Sequence, residues 1–179
     1  MAEENKEAWL NYLALATVIL AVCATLSTFK GGGFSTRSVM SQSQASDQWA
    51  YYQAKSVKAD LYQLQTEKLE MELHVLPKSA SREVAAGYQE KIAEYQKKVE
   101  KYEKEKAEIQ QKARELEAVR DESQVHSKAF GVAVIYLQIA ILLSSIAGLL
   151  KRRKVWYLGL ATAAVGLVYF ADGFLVFLG

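Results

Sequence analysis

Three apolar blocks, residues 9–29, 129–150 and 155–178, are set apart from a long polar stretch that occupies the middle of the chain. Each block is long enough to cross a bilayer, which takes about 20 apolar residues in a helix. The last two are separated only by Lys151, Arg152, Arg153 and Lys154, so they read as a hairpin of membrane helices. The first opens with Trp9 and Tyr12, suited to a membrane interface, and closes at Lys30, whose charged head can reach the opposite surface.

Between the blocks the rhythm is helical. In residues 35–76, Val57, Leu61, Leu64, Met71 and Val75 recur at alternating spacings of four and three, broken by Lys68, and are predicted to form the seam of a first arm. Pro77, followed by Lys78, Ser79, Ala80 and Ser81, ends that helix and supplies caps for the next, giving a turn at 77–80. In residues 81–128 a second seam follows Tyr88, Ile92, Tyr95, Val99, Tyr102, Ile109, Ala113 and Leu116, with Lys106 and Arg120 as polar exceptions. Its tyrosines predict a somewhat polar pairing, and no proline interrupts the run into the second apolar block. At 1.5 Å per residue the arms measure roughly 60 and 70 Å, as a segment that leaves a membrane and returns requires.

The predicted fold is therefore an all-α membrane protein: three transmembrane helices with a long antiparallel coiled-coil hairpin inserted between the first and second. Residues 1–8 are read as a tail and Gly31, Gly32 and Gly33 as a hinge over 30–34, because consecutive glycines are poor helix formers.

Composition adds little, since 51% hydrophobic and 23% charged residues average over segregated blocks. Charge adds more. The net charge is +2 and the polar stretch mixes both signs finely, which fits solvated helix faces and argues against nucleic acid as a partner. The single cysteine, Cys23, lies within an apolar block, so no disulfide framework is expected. An acidic leader with Glu3, Glu4 and Glu7 argues against a cleaved export signal and for a permanent helix. Basic residues in short loops stay in the cytoplasm, which puts residues 151–154 inside and the hairpin outside.

Candidate chemistry is sparse. Asp172 is the only acid within a span; it is read as a partner for Lys30 or Lys128 near the outer surface, or else as part of an ion or proton path. Gly159, Gly166 and Gly173, seven residues apart, form a small-residue face on which another helix can pack closely, within the chain or between copies. Trp49, Tyr51 and Tyr52 are large aromatics in a polar helix that need something to pack against: the returning helix near Val119, Val125 and Phe130, or a collar between subunits. His126 follows Glu122 by one turn, which falls short of a closed metal site. No nucleophile–base pair, carboxylate dyad or ligand cluster is visible, so the expectation is a non-enzymatic chain with no cofactor and no metal.

The segment Ser41-Gln42-Ser43-Gln44-Ala45-Ser46-Asp47-Gln48-Trp49-Ala50-Tyr51-Tyr52-Gln53-Ala54-Lys55-Ser56 resembles the signature of the bacterial family catalogued as domain of unknown function 4337. The order of elements agrees across nearly the whole chain. The resemblance implies a bacterial membrane protein without an assigned activity and carries no catalytic residues with it; the expected location is the inner membrane. Together these readings point to a homo-oligomeric membrane scaffold in contact with the lipid bilayer, whose hairpin meets other membrane or envelope proteins. The alternative is an accessory subunit of a transporter or channel, or a pore-forming oligomer, with Asp172 in the path.

Overall fold

A computed structural model describes residues 4–77 and 82–178, with only the backbone for residues 4–8. The described residues form three helices and no strand: α1 (Glu4–His74), α2 (Arg82–Leu150) and α3 (Arg153–Leu175). Each helix contains a stretch long and apolar enough to cross a membrane. The chain divides into two compact units, residues 1–40 with 119–179 and residues 41–118.

In the first unit, parts of all three helices bury a narrow core. Leu20 and Ala24 of α1, Ala133, Leu137 and Ala140 of α2 and Ala163 of α3 form its centre, flanked by Tyr169 and Phe170. Near one end Trp9, Leu13 and Ala147 make a second cluster with Trp156, and Arg153 lies 5.7 Å above the Trp9 ring. The small residues let the backbones approach, while Leu15, Val18, Leu142 and Leu158 remain exposed on the outside, as for helices whose surroundings are themselves apolar.

The link between α2 and α3 is shorter than the four-residue loop expected at 151–154. Lys151 adopts a left-handed φ of 51°, and the N–H groups of Lys151 and Arg152 donate to Gly148 and Ala147. This is the two-bond closure that normally uses glycine, and it satisfies the last carbonyls of α2 before α3 starts at Arg153.

The expected glycine hinge at 30–34 is not formed. α1 passes through Gly31, Gly32 and Gly33 without a break. Gly31 lies against Phe130, where an added Cβ would come within 3.0 Å of the ring-bearing carbon, and Ser127 donates a hydrogen bond to the Gly31 carbonyl. Contact with α2 offsets the entropic cost of helical glycine. Residues of the expected tail are already helical from Glu4. Pro77 follows the end of α1, and the rest of the expected turn lies outside the described residues.

In the second unit α1 and α2 run antiparallel, as the pairs Trp49–Glu117, Lys55–Glu105 and Tyr62–Tyr95 show. α2 uses the seam read from sequence: Ile109 and Ala113 are buried, and Tyr95, Val99 and Tyr102 half-buried. α1 does not. Val57, Leu61, Leu64, Met71 and Val75 are 57–78% exposed. The face against α2 is instead Ala45, Gln48, Tyr52, Lys55, Ala59, Tyr62 and Thr66, also spaced alternately three and four. Small and polar residues carry it because the bulk comes from the tyrosines of α2.

Candidate functional site

The aromatic trio has its packing partner within the second unit. The Trp49 indole N–H donates to the Glu117 carboxylate at 2.9 Å, and its ring meets Tyr52 edge-on at 5.6 Å. Tyr52 also lies under the ammonium of Lys106 at 5.5 Å. Tyr51 is half exposed, and Lys55 sits 5.2 Å from both its ring and that of Tyr102. Two turns beyond Lys55, Tyr62 stacks on Tyr102 at 5.9 Å and holds Lys98 at 5.0 Å.

Each of these lysines also meets an acid. Lys55 pairs with Glu105, Lys98 with Glu94 and Lys106 with Glu103. Hydrogen bonding to Glu105 raises the Lys55 ammonium above its ordinary range, and the same bond holds Glu105 low. Glu94 accepts from both Lys91 and Lys98, which pull its carboxyl down to about 2. The interface is thus a ladder of lysines over rings, with Lys55–Glu105 as the ion pair that crosses between the arms and the Glu94 and Glu103 pairs holding α2 lysines in place. Lys106, a polar exception in the seam read on the second arm, is an amphipathic stem with its head over the Tyr52 ring.

In the first unit the expected intramembrane charge has a different partner from those anticipated. Asp172 is 4% exposed, and its Oδ1 accepts the backbone N–H groups of Phe177 and Leu178 at 2.8 and 2.7 Å. α3 ends at Leu175, Val176 turns left-handed at φ 48°, and its N–H bonds the Asp172 carbonyl. The side chain therefore closes the end of α3. Lys128 lines the same shallow groove, yet among the described residues neither it nor Lys30 makes an ion pair with Asp172.

The three glycines of α3 are turned toward α2. A Cβ on Gly159 would lie 3.3 Å from Leu143 and Ser144, and one on Gly166 would lie 3.1 Å from the backbone nitrogen of Leu137. One on Gly173 would strike the Phe130 ring at 2.7 Å. Phe130 is fully buried and meets Phe174 edge-on at 4.9 Å, so Gly173 is the slot that admits this ring. Above it His126 stacks on Phe34 at 4.5 Å, and its Nδ1–H donates to the Gly173 carbonyl at 2.8 Å. His126 is thereby tied to α3 and not to Glu122; nothing in the sequence singled out that link, because its acceptor is a main-chain oxygen.

These features define, over the described residues, an all-helical protein with three helices able to span a membrane, the first two of which also form an aromatic–cationic helix pair. The chain belongs to the family described as domain of unknown function (DUF4337), which matches residues 9–176. No curated protein and no solved structure matches it.

Proposed function

We propose that the protein is a non-enzymatic, homo-oligomeric scaffold of the bacterial inner membrane, anchored by three transmembrane helices and carrying an antiparallel coiled-coil hairpin outside the cytoplasm. The observation that carries this reading is the ladder of Trp49, Tyr52, Lys55 and Tyr62 of α1 against Glu117, Lys106, Tyr102 and Lys98 of α2, in which chemically versatile side chains hold one helix to another. The same holds for Asp172, whose oxygen accepts two main-chain N–H groups. A relay group must exchange its proton with a neighbour along a path; a carboxylate that closes a helix end is engaged otherwise, which favours the scaffold over the transport alternative.

Orientation follows from the basic residues between α2 and α3. In a Cys23→Ala background, a membrane-impermeant thiol reagent applied to intact cells should modify Ser79→Cys and spare Lys154→Cys. The opposite pattern would move the hairpin into the cytoplasm. Native mass spectrometry from nanodiscs should find more than one copy per particle, and Asp172-dependent ion flux in proteoliposomes would replace the scaffold reading by the transport one.

A further inference from the structure

The apolar seam read on the first arm is present, but it faces away from the chain. Ala50, Ala54, Val57, Leu61, Leu64, Met71 and Val75 are all exposed and continue one alternation of four and three residues, with Lys68 at the single polar step. We propose that this face of α1 docks α1 of a second copy, side by side and in the same direction. The proposal deepens the scaffold reading and rests on it for the shared membrane anchor.

The repeat identifies the kind of occupant. A spacing of 3.5 residues keeps apolar side chains in line with another helix over many turns, and a surface merely in contact with solvent needs no such register. The opposite face of α1 is already filled by α2, and the repeating residues of α2 are turned to α1. Within the described residues of this unit, the seam on α1 is thus the one helical repeat left uncovered, and the matching surface is the same seam on another copy. Two copies in one membrane are both anchored through the residues before Ser41, so equal positions come level and the helices run in parallel.

Flanking charge supplies no opposite-sign pair in this register, which rests on the apolar repeat and the shared direction of the two copies. With Leu61 and Lys68 in one set of core layers and Val57, Leu64 and Met71 in the other, the residues flanking the seam are Gln53, Asp60 and Glu67 on one side and Lys58, Gln65 and Glu72 on the other. In parallel pairing Gln53 meets Lys58 of the second copy, and Asp60 meets its Gln65. Glu67 comes level with Glu72 of the second copy, a repulsive step, but Lys68 lies between them. Its ammonium, now 3.8 Å from its own Glu72 and largely exposed, can reach the carboxylates of both copies by extending from the core layer.

The test uses single cysteines in the full-length Cys23→Ala protein, in membranes, under mild oxidation. Leu64→Cys should form disulfide-linked dimers at least tenfold faster than Gln63→Cys, which is exposed one residue away and turned off the seam. Equal rates, no dimer from Leu64→Cys, or preferential linkage of Leu61→Cys to Met71→Cys, which reports reversed helices, would each overturn the proposal. In parallel, the particle mass in nanodiscs is compared between the parent and Leu61→Glu/Leu64→Glu; both leucines are exposed, so helicity should be retained. A smaller particle for the variant supports docking on this face. An unchanged multimer overturns the docking site and leaves the scaffold reading standing, whereas a monomeric parent overturns both.

Discussion

A carboxylate in a helix long and apolar enough to span a membrane invites assignment to a transport path, and Asp172 shows how geometry redirects that assignment. Its Oδ1 satisfies two N–H groups that follow the end of α3, from a side chain that is itself buried. An asparagine side chain offers the same oxygen, but alanine offers none. Asp172→Asn should therefore keep most of the stability, whereas Asp172→Ala should lose about 1–3 kcal/mol, the cost of leaving such groups unpaired; thermal unfolding in detergent separates the two. Equal losses would mean that the charge, and not the acceptor, is what matters. Neighbouring Val176 pays for the closure with a left-handed backbone that a β-branched residue adopts reluctantly. Replacing it with glycine should raise the melting temperature, by relief of about 1 kcal/mol of strain.

At the scale of the helices, α3 can approach α2 only because Gly166 leaves room beside the Leu137 backbone, which cannot rotate out of the way. Gly166→Leu should separate the pair and lower stability by roughly 1–3 kcal/mol or more, as overpacking does. Gly32→Ala, with open space where its Cβ would go, should be neutral or slightly stabilising. Differential scanning of the two variants checks both. α2 was legible from sequence because Ile109, Ala113 and its tyrosines are large or apolar on one face only. α1 was not, because its inner face is Ala45, Gln48, Lys55 and Thr66 while its best apolar repeat looks outward. Periodicity reports that a face is apolar and leaves open which neighbour covers it. The glycines misled for a related reason: propensity penalises Gly31, and only the contact with Phe130 shows what offsets the penalty.

Across the whole molecule, the units differ in what holds them, small residues around Phe130 in one and rings with ion pairs in the other. The second should respond to acid. Glu94 titrates at about 2 against an ordinary 4.5, so its contribution is complete above 4.5 and is lost as the pH falls toward 2. The difference in melting temperature between the parent and Glu94→Gln should thus be constant from pH 7 to about 5 and decline to nothing as the pH falls toward 2, and it should shrink at high salt because the pair is exposed. One further consequence comes from α1 itself. Leu13, Thr17, Leu20, Ala24, Ser27, Gly31, Phe34, Ser38, Ser41, Ala45, Gln48, Tyr52, Lys55, Ala59, Tyr62 and Thr66 keep a single alternation of three and four, and none is exposed. Inserting one residue anywhere in that run would turn everything beyond it by about 100°. Viable changes of length are then confined to steps of seven matched in α2, so that aligned relatives should gain or lose hairpin residues in paired sevens.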